Sequence, residues 1–362
     1  MIRTGNSIGT VMEAPIQRVK DLARGREGIL SFAQGLPWFG PPAVPLARAL
    51  ERLRRGEGDS YSHDLGRETL RESLAADLRR RGVEGARAET IMVTPGANQA
   101  IYIALSLLAD RGDEVILFRP YYFNNLMALQ LLGVEPVLID VEADGTIDPE
   151  AVRRKIGRRT RAMIVVSPGN PGGAMTFRPI YEELLRLARE NGFPLIADEA
   201  YRDFAWDAPH FSPLTLGGGD VLGVFSCSKS FGMAGWRLGF LNGPREFITA
   251  AIKVADTLHI CPPLPAQLLA EEILATEPDY AIRFRQDMRA SRDLLIEALR
   301  PLHERGLIGS LRSAGGFYLF PRLHPRQPQS GWELARRLVE EYSLAVVPGE
   351  AFGMEGEPTL RL

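Results

Sequence analysis

The 362-residue chain is too long for one small core and suggests one large domain plus a smaller one, or two comparable domains, and 45% hydrophobic against 24% charged residues is the composition of a globular protein. A formal net charge of −2 gives no basic character that would argue for nucleic acid, and no run approaches the roughly 18 apolar residues of a membrane span. Its two cysteines, Cys227 and Cys261, form neither a CxxC pair nor a cluster with zinc-ligand spacing, so no metal is expected and a reducing, cytoplasmic location fits.

In chain order, residues 1–6 contain no apolar core of a signal peptide. The first 45 residues hold Gly35-Leu36-Pro37 and Gly40-Pro41-Pro42 and read as an arm or loop. The basic runs at 52–55, 79–81 and 153–159 are interleaved with Leu, Glu or Gly and read as solvated helix faces and loops. From residue 90 onward, short apolar runs alternate with helical patterns. Strands are predicted over 90–94, 114–118, 136–139, 162–166, 194–197 and 221–225, with helices over 97–109, 123–132 and 179–191. Strands this short and apolar on both faces belong to a mainly parallel sheet covered by helices. The last third predicts helices over 265–275 and 280–305, short strands near 317–320 and 345–347, and a helix over 332–342 between them. The expected division is an arm and small-domain segment (1–45), a large α/β domain (46–260) and a smaller α+β domain (261–362).

Chemistry-bearing residues collect where the predicted strands end. Ser226-Cys227-Ser228-Lys229 follows one strand and runs into a Gly-rich stretch that reaches Arg237. Small residues let a backbone approach a phosphate, and burial near cations lowers a lysine pKa toward nucleophilic use. Asp198 and Tyr201 follow the run Leu195-Ile196-Ala197. A carboxylate at a strand end is placed for a ligand, although an Asp there serves equally as a helix N-cap. Ser167-Pro168-Gly169-Asn170-Pro171-Gly172-Gly173 follows another strand and, alone, reads as an ordinary turn. Gly96-Ala97-Asn98 opens a helix whose free N–H groups suit a phosphate, and Tyr122 follows the next strand, where an aromatic stacks on a flat ring or simply joins the core.

Taken together, in this order and spacing, these residues resemble the class I/II aminotransferases of the fold-type I pyridoxal-phosphate (PLP) enzymes, from about Ser31 to Arg361. The resemblance implies a PLP-dependent transferase fold of the aspartate aminotransferase type. It implies that an amino group moves from an L-amino acid to a 2-oxo acid through pyridoxamine phosphate. By the same resemblance Lys229 is the Schiff-base lysine and general base, and Asp198 the partner of the pyridine nitrogen. Tyr201 and Asn170 donate to the ring oxygen, and Tyr122 stacks on the ring. Gly96, Ala97, Asn98, Ser226, Ser228 and Arg237 hold the phosphate. Arg361 clamps the substrate carboxylate beside the backbone of Gly35. Tyr61 reaches the phosphate of a neighbouring subunit, which implies a homodimer with shared sites. The plainer readings of these last three are a surface arginine, a turn glycine and a core tyrosine.

The sequence departs from the family pattern at Ser167-Pro168-Gly169-Asn170-Pro171-Gly172-Gly173, where relatives carry Asn-Pro-x-Asn-Pro-Thr-Gly, and at its end one residue after Arg361, where relatives continue into a helix. Other outcomes considered on the same fold are a C–S β-lyase and a cyclopropane-forming synthase. A non-catalytic PLP-binding regulator is disfavoured because only about 30 residues precede Gln34-Gly35. A nicotinamide dehydrogenase is disfavoured because no GxGxxG joins a first strand to a helix.

Overall fold

The computed structural model describes residues 5–324 and 330–362. The signal-peptide reading of residues 1–4 therefore lies outside the described residues. The first elements are α1 (Pro15–Ala23), the two-residue strand β1 (Leu30–Ser31), α2 (Ala43–Arg54) and α3 (Glu68–Arg80). The alternating region supplies β2 (Ile91–Thr94), α4 (Ala97–Leu108), β3 (Glu114–Arg119), α5 (Phe123–Leu132), β4 (Glu135–Asp140), α6 (Pro149–Lys155), β5 (Thr160–Val166) and α7 (Arg178–Asn191). It continues with β6 (Leu195–Asp198), β7 (Val221–Ser226), the one-turn α8 (Cys227–Ser230), β8 (Gly239–Asn242) and α9 (Arg245–His259). Then come α10 (Leu264–Thr276), α11 (Arg285–Glu304), α12 (Gly331–Tyr342) and the short strands β9 (Leu344–Ala345), β10 (Val347–Pro348) and β11 (Leu360–Arg361).

β2 through β8 form one sheet in the order β2-β8-β7-β6-β5-β3-β4. Its pairings are parallel except for those of β8, which runs antiparallel between β2 and β7. Alternate side chains of each strand go to opposite faces. Ala162 and Ile164 of β5 pack with α4, α5 and α9, while Met163 and Val165 pack with α6 and α7. On that second face Ile91, Val93, Phe225 and Phe240 meet α3 and α10. Helices thus cover both faces, as the apolar strands require.

This topology positions the site. Parallel strands leave their C-terminal ends on one edge, where Val166, Asp198 and Val224 are neighbours in register. The reversed β8 starts on the same edge, pairing Gly239 with both Thr94 and Ser226. Ends of β2, β5, β6 and β7 therefore converge. The N-terminal segment joins the C-terminal part through the β1–β9 pair and through α1, whose Val19 packs with Val339, Val347 and Phe352.

Several expectations need correction. The stretch 1–45 is not only arm and loop: Pro15 at the first helical position, with Ile16, Val19, Leu22 and Ala23 toward one core, makes α1. The basic runs are only partly solvated. Arg52 pairs with Glu57, Glu271 and Glu272, and Arg81 bridges Asp77 and Asp203, because α2 and α3 pack against α10 and the loop after β6. Residues 317–320 form no regular strand. Leu319 and Leu362 exchange two backbone hydrogen bonds (3.1 and 2.9 Å), but Gly315-Gly316 and Pro321 interrupt the ladder on either side. β8, α6 and α9 had no counterpart in the sequence reading. Among the described residues, no helix is long and apolar enough to cross a membrane.

Candidate active site

A cavity of about 540 Å³ opens at the convergent sheet edge, the usual place for ligands in an open α/β sheet. It is lined by Asp198, the last residue of β6, by Ser226 at the end of β7, and by Ser228 and Lys229 on α8. Ala97 and Asn98 at the start of α4, Tyr122 just before α5, and Asn170, Tyr201, Gly35, Arg237 and Arg361 complete the set brought together from the sequence.

At one end the geometry suits a phosphate. Gly96 precedes α4 with φ +88° and offers no side chain to cap it, which leaves first-turn N–H groups to other partners. A Cβ at Gly96 would sit 2.5 Å from Arg237 Nη2, and one at Gly239 would sit 2.7 Å from the Ala97 nitrogen. Only glycine fits either position. Arg237 donates to the Ala234 carbonyl at 2.8 Å and has no carboxylate partner among the described residues. Ser226 Oγ accepts from the Ser228 N–H at 3.2 Å, which turns the chain from β7 into α8. Helix start, free arginine and hydroxyls together form an anion cradle.

In the middle stand Lys229 and Asp198. Lys229 Nζ donates to the Gly35 carbonyl. Burial first, then the Arg361 and Arg237 guanidiniums, bring its amine down to about 8. Asp198 is only 5% exposed and accepts from the Ala200 N–H at 3.0 Å, with no cationic partner among the described residues. Burial pushes its carboxyl up to about 6, against that one backbone hydrogen bond. Tyr122 is raised to about 12 by burial, then by Tyr318 and Asp198.

At the other end Arg361 is 2% exposed. Its Nη1 donates to Asn170 Oδ1 at 2.8 Å and its Nη2 to the Ala33 carbonyl, and the guanidinium lies 4.3 Å from the Tyr318 ring centre. Its Nε is buried without a partner. The arginine is thus held firmly by β11 and its neighbours while keeping a donor in reserve.

Tyr61 is the residue that the structure does not bring to this cavity. It is 79% exposed and absent from the cavity lining. Conversely, the sequence reading missed Tyr318, whose hydroxyl lies 2.6 Å from that of Tyr201 and would clash at 2.1 Å with a Cβ on Gly35. The signal was the Gly315-Gly316-Phe317-Tyr318 run: a Cβ on Gly315 would lie 2.7 Å from Pro168, so the glycine lets this loop close on the Asn170 segment.

The sequence model described as aminotransferase class I and II matches residues 27–362. The aspartate/prephenate aminotransferase of Thermus thermophilus is 34% identical over 350 residues, covering 94% of this chain and 89% of that protein. An aromatic aminotransferase of Arabidopsis thaliana is 30% identical over 358 residues, covering 97% of this chain and 89% of that one. A solved Thermus thermophilus aspartate aminotransferase, a tetra mutant complexed with tryptophan, superposes with a TM-score of 0.93 at 31% identity over 99% of this chain and 95% of that one.

The chain belongs to the class I and II aminotransferases, with the aspartate aminotransferase-like fold of the fold-type I enzymes. It is an enzyme, and its activity is amino-group transfer; the β-lyase and ring-forming alternatives find no support.

Proposed function

We propose that the cavity binds pyridoxal 5'-phosphate and that the protein uses it to move an amino group from an L-amino acid to a 2-oxo acid. One observation carries this reading: a lysine amine brought to about 8 and a buried carboxylate that no cation among the described residues answers share a single cavity. The residues present fit the group, since a cradle closed to any Cβ at Gly96 and Gly239 lies at one end and a buried donor without a partner at the other. When bound, the cofactor supplies a ring that withdraws electrons from the substrate Cα.

The chain's own residues do the rest. Lys229 would hold the cofactor and, once the substrate amine replaces it, would take the proton from Cα as general base and deliver it to the cofactor's C4′ as general acid. A lysine near 8 has an appreciable neutral fraction at pH 7, which an ordinary surface lysine lacks. Asp198 answers the positive charge of the pyridine nitrogen. Because Asn170 Oδ1 is committed to Arg361, its amide N–H groups remain to donate to the ring oxygen, together with the Tyr201 hydroxyl. Tyr122 covers a ring face. Gly96, Ala97, Asn98, Ser226, Ser228 and Arg237 hold the phosphate, and Arg361 with Gly35 takes the substrate α-carboxylate. The exposed Tyr61 serves the phosphate of a second protomer in a homodimer. The division into 1–45, 46–260 and 261–362 and a cytoplasmic location with two free cysteines accompany this reading.

The test is spectroscopic. Mixing cofactor-loaded protein with a suitable amino acid is expected to bleach the visible cofactor band and yield the amine form. Lys229→Ala is expected to slow this by about 10²–10⁴-fold while the fold is kept. No spectral change with any amino acid, or near-normal turnover in Lys229→Ala, overturns the proposal.

A further inference from the structure

Beside Tyr201 lies a second phenol to which the cofactor reading above gives no task. Tyr318 lines the same cavity, with its hydroxyl 2.6 Å from that of Tyr201 and its ring edge-on to the Tyr201 ring at 5.7 Å. Both residues are 5% exposed. The segment that carries Tyr318 is pinned on either side: the Gly316 N–H donates to the Phe204 carbonyl at 2.8 Å, and the Leu319 N–H to the Leu362 carbonyl at 3.1 Å. Glycine at 35 leaves the hydroxyl room to reach Tyr201. The Arg361 guanidinium lies 4.3 Å from the centre of the Tyr318 ring, so one side chain touches both the substrate-carboxylate end and the ring-oxygen end of the site.

We infer that Tyr318 is a positioning residue for amino-group transfer: its hydroxyl donates to Tyr201 and thereby aims the Tyr201 proton at the ring oxygen of the cofactor. The inference rests on the cofactor reading and deepens it. In the protein alone either hydroxyl can donate to the other. A hydroxyl has one proton and two lone pairs. Once Tyr201 gives its proton to the ring oxygen, it can only accept from Tyr318, which fixes the order from Tyr318 through Tyr201 to the ring. Hydrogen bonds in such a chain polarise one another, so the last donation is stronger than Tyr201 alone would make it. Burial first, then the neighbouring Tyr318, hold the Tyr201 phenol well above its usual range, so it keeps the proton it donates. The other titratable or charged groups facing Tyr201 are Tyr122, Arg361 and Lys229, whose Nζ lies 5.7 Å from the Tyr201 ring centre. Under the cofactor reading these cover the ring, take the α-carboxylate and hold the cofactor.

The readout is the pH midpoint at which the visible band of the pyridoxal-phosphate-loaded protein titrates. When the Lys229 nitrogen loses its proton, the negative ring oxygen loses the charge that answered it, and a donor to that oxygen counts for more. Weakening the Tyr201 donation is therefore expected to raise the midpoint. Tyr318→Phe keeps the ring under Arg361 and removes only the hydroxyl. It is expected to raise the midpoint by about 0.3–1 unit. KM for the amino donor should stay within about threefold of wild type, because the contact with Arg361 survives. Tyr201→Phe is expected to raise the midpoint more, and adding Tyr318→Phe to it should move the midpoint no further, since Tyr318 acts through Tyr201. A Tyr318→Phe midpoint within about 0.1 unit of wild type overturns the inference. So does a shift of the same size with and without the Tyr201 hydroxyl, or a KM raised several-fold with the midpoint unmoved, which would give the hydroxyl to the substrate. If wild type shows no visible band that depends on Lys229, the cofactor reading falls and takes this one with it; a Lys229-dependent band that ignores Tyr318 sinks this one alone.

Discussion

Asp198 and Asp203 lie on the two sides of one short loop after β6, both buried, and the protein treats them in opposite ways. At the sheet edge, Asp198 meets one backbone N–H and, among the described residues, no guanidinium, and burial pushes its carboxyl up to about 6. Behind Tyr201, burial acts on Asp203 as well, but Arg81 at 2.8 Å, Arg202 and the Ser230 hydroxyl at 2.6 Å outweigh it and bring the carboxyl down to about 2. A single guanidinium at about 4 Å contributes roughly 4 kcal/mol at an effective dielectric near 20, enough to reverse a desolvation shift of this size. The chain therefore has cations to place beside a buried carboxylate and places them at 203. Leaving 198 without one keeps that carboxylate for a positive charge arriving with a ligand. The two regions also touch: Ser230 follows Lys229, so the ion network braces the lysine's turn from behind.

The comparison breaks first at Arg81. Arg81→Ala strips Asp77 and Asp203 of a shared cation and is expected to cost about 3–5 kcal/mol of unfolding free energy, read by urea denaturation. The half-reaction rate per folded molecule should stay within a few-fold of wild type; a rate that collapses with stability intact would erase the distinction between the two regions. Asp198→Asn is expected to do the reverse, slowing the half-reaction by at least about 100-fold without destabilising the cofactor-free protein at pH 7.

The pH dependence sharpens the same contrast. Asp198, raised from 3.8 to about 6 on folding, gives stability that is fully present below pH 4 and lost as pH rises through about 6, on the order of 3 kcal/mol. Asp203, lowered from 3.8 to about 2, gives stability present above pH 4 and lost as pH falls through about 2. Subtracting the urea unfolding profile of cofactor-free Asp198→Asn from that of wild type is expected to leave a fall between pH 4 and 6; a flat difference refutes it. The smallest effect is assigned to Tyr61→Phe, which removes one hydroxyl contact worth about 1 kcal/mol and should weaken cofactor retention about fivefold. Unchanged retention would mean that the phosphate end draws nothing from a second protomer through this residue.

The Asp198 side of this contrast was legible in the sequence because its residues sit where apolar strands end. Asp198, Asn170, Ser226 and Lys229 each follow a strand that periodicity identifies, and the parallel sheet does the gathering. The ion network was not legible. Arg81 and Asp203 are 122 residues apart, and no local pattern distinguishes an arginine destined for a buried carboxylate from one on a solvated helix face. Tyr318 was hidden for a related reason, since its partners Tyr201 and Arg361 come from other parts of the chain. α1 was obscured by the Gly and Pro residues that follow it, although its own nine residues carry a clean apolar stripe.

The antiparallel strand β8 has a consequence for how the protein comes into being. The anion cradle is divided between Gly96 and Arg237, and the two halves meet only when β8 slides between β2 and β7. A nascent chain that has emerged through α8 holds the lysine, the carboxylate and the α4 half of the cradle but lacks Arg237. Such long-range closure is a slow event in folding. The cradle is therefore completed only at the end of sheet assembly, when β8 is in place.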